Sequence, residues 1–183
     1  MNIIIPTKVV KYEYHGPKTV EIPKFGLLQY RMVGDMTDGE KALTLLIESI
    51  KKNASKAERD LISLHILEFN DKMSGAVVKD GFEYNLDNVY ISQKLKFEMG
   101  EYLFKFRSPN ADECVMPIDL LLKSCCTLVK FKGEKIDTPD FMEMPAFVLE
   151  WADKILNTIS IDGPEGPIEG LGNIMELFDV KLA

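Results

Sequence analysis

The sequence is poor in the residue types from which reaction centres are most often built. It has two histidines, three cysteines and one tryptophan in 183 residues. The cysteines are Cys114, Cys125 and Cys126, an odd number with two adjacent, which is no disulfide framework. They are expected to be free thiols in a reducing compartment, packed as small hydrophobes. A structural zinc site would need closely spaced pairs such as C-x2-C. Cys125 and Cys126 are adjacent and point apart, and His15 and His65 lie far off. No metal and no cofactor is therefore expected. A basic surplus is also missing: 22 Lys and Arg stand against 29 Asp and Glu, a net charge of −7. Repulsion from phosphate argues against direct nucleic-acid binding. No apolar run approaches the ~20 residues a membrane span needs. The start, MNIIIPTKVVKYEYHG, has no basic stretch leading into a long apolar one, so it is not read as a signal peptide.

What is present is ordinary globular composition, 46% hydrophobic and 28% charged, so wholesale disorder is not expected. Residues 2–33 read as extended, with VVKYEY and LLQYRMV as strands. Thr37 and Glu40 have capping-box spacing ahead of Leu43, Leu46, Ile47 and Ile50, one helical face. Ser55 and Glu58 repeat the box before a second helix to about Met73, striped by Ile62, Ile66 and Phe69. Asp80-Gly81 between AVVK and FEYN marks a tight hairpin. A longer hairpin follows over 89–107. Pro117 opens a short helix, TLVKFKG is a strand, and PAFVLEWADKILNTI is a helix with Val148, Trp151, Ile155 and Ile159 on one stripe. A last helix is expected over 168–179. The whole predicts an α+β fold: an antiparallel sheet of hairpins with helices packed on one face and a helical C-terminal third. It is read as a single domain over 1–183. A subdivision would give 1–108 (strands, helical hairpin and β-hairpins) and 109–183 (mainly helical).

Few places could carry chemistry. The stretch IDGPEGPIEGLGN packs four glycines and two prolines into residues 161–173. A phosphate cradle there would want a nearby lysine, but Asp162, Glu165 and Glu169 would repel the ligand. The stretch reads instead as a shaped connection, with Gly163-Pro164 stopping one helix and Gly166-Pro167 starting another. Gly172, inside the last helix, suggests close approach of another backbone. A thiol-dependent hydrolase would need one cysteine beside His65. His65 lies within an apolar helix, and Cys125 and Cys126 extend one, so packing explains all three. Lys94, Lys96, Lys105 and Arg107 alternate along the longer hairpin and could form a basic patch beside Tyr90. An ordinary solvated strand face explains them as well.

Two segments carry a resemblance: AERDLISLHILEFNDKM and FMEMPAFVLEWADKILNTISIDGPEGPIEGLGNIMELF. They resemble the T-even phage baseplate hub proteins, small subunits needed to assemble the central hub of a contractile tail. The resemblance is loose over most of the chain, strongest in its C-terminal third, and includes no catalytic signature. It implies a late, non-enzymatic viral structural or assembly protein. Such a protein works by contacts with other phage tail or hub proteins, as an oligomer or hetero-complex. It would be found in the host cell cytoplasm during assembly and in the virion tail baseplate. The contact residues expected are Tyr90, Lys94, Lys96, Lys105, Arg107, Trp151, Gly163, Gly166, Gly170 and Gly172, with Trp151 fitting a core position equally well. The rival readings are a small cytosolic thiol-dependent hydrolase and a phage protein that binds a host target.

Overall fold

The structure, a computed structural model, describes residues 5–180; the first residues of the stretch expected to be extended lie outside them. In chain order the elements are β1 (Thr7–Glu13), β2 (Pro17–Pro23), α1 (Leu27–Val33), α2 (Gly39–Ile50), α3 (Lys56–Phe69), β3 (Ala76–Lys79), β4 (Phe82–Asn85) and β5 (Tyr90–Ile91). Then come β6 (Lys96–Met99), β7 (Tyr102–Phe106), α4 (Ile118–Cys125), β8 (Cys126–Phe131), β9 (Glu134–Ile136), α5 (Val148–Leu156), β10 (Ile159–Gly163), β11 (Gly166–Glu169) and α6 (Leu171–Leu177). Contacts cluster these into two compact units. Of the described residues, one holds 5–91 and 159–180, and the other holds Ser92–Thr158.

The expected single sheet with a helical C-terminal third is overturned. The strands form small separate antiparallel sheets: β1-β2, β3-β4, β11-β10-β5 and β6-β7-β8-β9. Strand structure continues to Glu169, so the last third mixes strands and helices. The cause lies at two places. Ile155 and Ile159 are four apart and fit one helical stripe, but α5 ends at Leu156, and Asn157 turns extended with φ −84° and ψ 91°. From Ile159 the chain is a strand. The Gly-Pro stretch then makes a hairpin turn, with Gly163 opposite Gly166 and Pro164-Glu165 as its two-residue loop. Pro167 is tolerated in β11 because that strand is a sheet edge. LLQYRMV, expected as a strand, is helix α1; the Gln29 side chain accepts a hydrogen bond from the Gly26 N–H at 3.0 Å and closes its first turn.

The unit of residues 5–91 and 159–180 is built around α3. Its N-terminus is the expected capping box: Ser55 accepts from the Glu58 N–H, and Glu58 accepts from the Ser55 N–H. The expected stripe was one-sided, yet Leu61, Ile62, Leu64, His65 and Ile66 are all buried. Elements on several sides cover it, including β2, α2, α6 and β10. The α2 cap is Asp38, which accepts from the N–H groups of Glu40 and Lys41, one residue beyond the expected Thr37. Glu58 is almost fully buried and also accepts a hydrogen bond from the Tyr12 hydroxyl at 2.8 Å. Lys51 and Lys18 stand at 3.6 and 3.8 Å. One carboxylate thus ties β1, β2, α2 and α3 together.

The Ser92–Thr158 unit is a four-stranded antiparallel sheet with helices on one face. Strand alternation turns Phe97, Phe104, Phe106 and Val129 inward, and Leu121, Leu122, Cys125, Trp151 and Ile155 cover them. Trp151 stacks on Phe97 at 5.0 Å between ring centroids and tilts against Phe104 at 4.9 Å. Aromatic pairs of this kind contribute about 0.5–1.5 kcal/mol each beyond their area burial.

Candidate functional site

Three surfaces and one closed cluster account for the residues singled out in the sequence. The first surface is the β10–β11 hairpin with β5. Tyr90 stands opposite Ser160 in the β5–β10 ladder, so its ring lies beside the hairpin. Its hydroxyl donates to Asp162 at 2.8 Å, and that hydrogen bond raises the phenol pKa. Tyr90 remains 40% exposed. Pro164, Glu165, Gly166 and Pro167 are exposed at the tip. A Cβ on Gly163 would meet the Tyr84 hydroxyl at 3.0 Å, so the hairpin leans closely on that side chain. Beside it lies a groove of about 340 Å³ lined by Phe82, Tyr84, Asn85, Asn88, Ile161 and Asp162. Gly170 has φ 92° and leads into α6. Gly172 is exposed, and a Cβ there would meet nothing within 4 Å, which removes the close backbone approach expected at that position.

The second surface is the outer face of the β6-β7-β8-β9 sheet. Register sets Lys96 directly opposite Lys105, and Lys130 directly opposite Lys135. Leu103 and Leu128, both half-buried, lie between them. Like charges directly opposite each other destabilise a sheet, and only Lys96 has an ion-pair partner among the described residues, Glu98 at 3.3 Å. The other two basic residues expected here turn elsewhere. The Lys94 ammonium lies 5.1 Å from the centre of the Phe97 ring, and Arg107 is held by Glu113. Lys130 and Lys135 were missed, although TLVKFKGEKI carries the same alternation.

The third surface is the outer side of the helical layer of the same unit. Val115, Met116, Leu120, Met142, Phe147 and Leu149 are large apolar side chains between 39% and 86% exposed. They lie on α4, α5 and the short turns that pack against them. Asp119, Glu143, Glu150 and Asp153 stand on the same elements, and none has an ion-pair partner among the described residues. Trp151 sits beneath this layer, only 7% exposed.

The closed cluster is centred on Glu113. It accepts both prongs of the Arg107 guanidinium, the Ser124 hydroxyl, the Asn110 N–H at 2.9 Å and, at 3.8 Å, the Cys125 thiol. Burial, reinforced by Glu113, pushes the Cys125 thiol up to about 11, and burial raises Cys126 too. An activated cysteine needs the opposite, a lowered pKa. Cys114 points its sulfur at the Asn110 carbonyl. In the other unit, His65 is buried with Nδ1 unpartnered among the described residues. No cluster of His, Cys, Asp or Glu suited to a metal is found among the described residues. No helix there is long and apolar enough to cross a membrane.

The described residues thus bring together no activated thiol and no cluster suited to a metal, and comparison with known proteins places the chain in a family. Residues 22–178 match the family described as the baseplate hub distal subunit. The chain is 41% identical over 179 residues to the baseplate hub assembly protein gp28 of Enterobacteria phage T4, spanning 98% of this chain and 99% of that one. No solved structure gives a significant match. The chain belongs to the baseplate hub distal subunit family, and its role is structural or in assembly, in the baseplate of a phage tail.

Proposed function

We propose that the chain is a non-enzymatic docking subunit that joins other tail proteins in the hub, making and breaking no covalent bond. The observation that carries this is the near end-to-end match to a baseplate hub assembly protein, with no long stretch of either chain left over. The dispersal of reactive groups supports it: the buried thiol is held protonated and the buried imidazole is packed in another unit. Gly170 is buried at the base of the hairpin, so docking on a heterologous tail protein would use Tyr90 and the tip around Gly163 and Gly166. There an aromatic ring, a groove and an exposed turn lie side by side, and tyrosine is enriched at such contacts. The site of action would be the host cytoplasm during assembly and the tail baseplate of the particle.

The test is infection by a phage lacking this chain, complemented with wild type or with Tyr90→Ala plus Glu165→Lys. Electron microscopy of the lysates should show tailed particles with wild type and a deficit of baseplates without it. The double variant should fall clearly below wild type. Normal tails in the absence of the chain would overturn the reading.

A further inference from the structure

We infer that the Ser92–Thr158 unit binds a second copy of this chain head to tail, the basic sheet face of one copy meeting the acidic helical layer of the next. This goes beyond the docking just proposed, which uses the other unit. It rests on a match between two surfaces of one unit. The sheet face has an apolar centre, Leu103 and Leu128, flanked by Lys96, Lys105, Lys130 and Lys135. The helical layer has an apolar centre that includes Val115, Met142 and Leu149, flanked by Asp119, Glu143, Glu150 and Asp153. The lysines other than Lys96, and all four of these carboxylates, lack an ion-pair partner among the described residues. Each face therefore holds a net surplus of charge around apolar side chains, half-buried on the sheet and exposed on the helical layer. Glu98 on the sheet face and Lys123 and Lys154 on the helices reduce the two surpluses but leave them opposite in sign. Two directly opposed lysine pairs cost the isolated sheet stability. A carboxylate-bearing surface laid on them would reverse that cost. Complementary potentials of this kind set partner choice and register.

The two faces lie on opposite sides of one sheet-and-helix sandwich, so the contact joins different patches on the two copies. It is heterologous, and repeated it gives a ring or an open chain of subunits, not a closed two-fold dimer. An acidic partner of another kind could also cover the sheet face, and a basic one the helical layer. Only a second copy satisfies both with the surfaces already present.

The experiment is sedimentation velocity on the purified full chain across protein concentration at low and high salt. Wild type should grow in mass with concentration and lose that growth as salt rises, because screening shortens the reach of exposed charges to about 3 Å at molar salt. Lys96→Glu with Lys105→Glu, and separately Glu143→Lys with Glu150→Lys, should each weaken self-association about tenfold or more. Mixed together, the two variants should associate again and grow with concentration, since the two unchanged faces complement each other and so do the two reversed ones. A chain carrying all four changes should associate with itself again. The exchanged side chains are exposed, and circular dichroism reports whether each variant folds; Lys96→Gln with Lys105→Gln serves as a milder pair. A wild type that stays monomeric at low salt up to high concentration overturns the inference. So does a sheet-face variant that associates as tightly as wild type, or a mixture of the two variants that stays monomeric. Since the readout is the mass of the isolated chain, failure here leaves the docking role standing. Failure of complementation likewise leaves this contact standing.

Discussion

Arg107 grips Glu113 with both prongs of its guanidinium, at 2.7 and 2.6 Å, and so pins the end of β7 to the turn that leads into α4. The Ser124 hydroxyl and the Asn110 N–H complete the shell, and Glu113 is only 5% exposed. Removing the carboxylate leaves the donors of Arg107, Ser124, Asn110 and Cys125 without their shared acceptor. Glu113→Ala is expected to lower stability by about 2 kcal/mol, the range for a charged hydrogen-bonding group. Arg107→Lys should cost less but lose the two-pronged fit. Urea denaturation followed by tryptophan fluorescence reads the difference directly, because Trp151 lies in the same unit. An unchanged midpoint for Glu113→Ala would mean that the cluster is ornamental.

The same cluster and His65 make separate predictions about acid. The Arg107 hydrogen bond, then the Ser124 hydroxyl and the Asn110 N–H, hold the Glu113 carboxyl far below its ordinary 4.5. A depressed carboxylate contributes stability above its unfolded pKa and loses it as pH falls below that value. His65 acts at higher pH. Burial first, and then the Lys8 charge, push its pKa down from 6.5 to about 4 against a smaller opposing pull from Asp87. Above pH 6.5 both folded and unfolded forms are neutral and the residue is silent. Between 6.5 and 4 the unfolded chain takes up a proton that the folded one refuses, so stability falls as pH falls. The loss amounts to about 3 kcal/mol when complete. Thermal melts from pH 7.5 to 4 should show this slope in wild type and a flatter one in His65→Leu. Glu113→Gln should keep the slope above pH 4.5. Parallel curves for wild type and His65→Leu would show that the imidazole titrates normally.

Much of this fold is readable from local rules because those rules operate over four residues or fewer. Ser55 and Glu58 announce α3, and Asp80-Gly81, with φ 50° and 77°, announces the β3–β4 turn. Misreadings fell where one local pattern served two structures. Ile155 and Ile159 satisfy a helical stripe and also the start of a strand. LLQYRMV has strand-like composition, but it forms a helix whose first turn is closed by the bond from the Gly26 N–H to Gln29 and which packs on α2. The proposed contact surfaces were legible only in part. Alternation along 94–107 puts Lys96 and Lys105 on one face, but that they oppose each other, and are joined by Lys130 and Lys135, is a matter of register. The acidic helical layer cannot be read locally at all, because α4 and α5, separated in sequence by β8 and β9, become neighbours only when those strands have folded.

Tyr12 and Glu58 test the buried carboxylate of the other unit. Burial alone would raise the Glu58 pKa. The Ser55 N–H, the Tyr12 hydroxyl and the charges of Lys51 and Lys18 outweigh it, and the pKa is lowered. Tyr12→Phe removes one of those donors while keeping the ring in the core. The expected loss is about 1–2 kcal/mol, since a nearly buried charge is left one partner short. Glu58→Gln with Tyr12→Phe should cost less than the sum of the two single changes, because they share one contact. Equilibrium denaturation of the four chains gives that coupling. A sum that is strictly additive would show that the 2.8 Å contact contributes nothing.

Gly170 and Gly172 sit two residues apart and should respond to alanine in opposite directions. Gly170 has φ 92°, a backbone conformation that a side chain strains, and its N–H donates to the Ile159 carbonyl at 2.8 Å, fastening β10 to the start of α6. Gly170→Ala must keep that strained geometry or lose the bond, and is expected to cost about 1–3 kcal/mol. Gly172 lies in the first turn of α6, exposed, and a methyl group placed on its Cα would meet no atom within 4 Å. Gly172→Ala removes only the extra backbone freedom of the unfolded chain and should stabilise by about 0.5 kcal/mol. Thermal midpoints of the two variants check the pair, and amide exchange at Ile161 and Ile168 locates the effect in the hairpin. If Gly172→Ala destabilises as much as Gly170→Ala, the first turn of α6 is packed against something, and that glycine is needed for contact instead of merely tolerated.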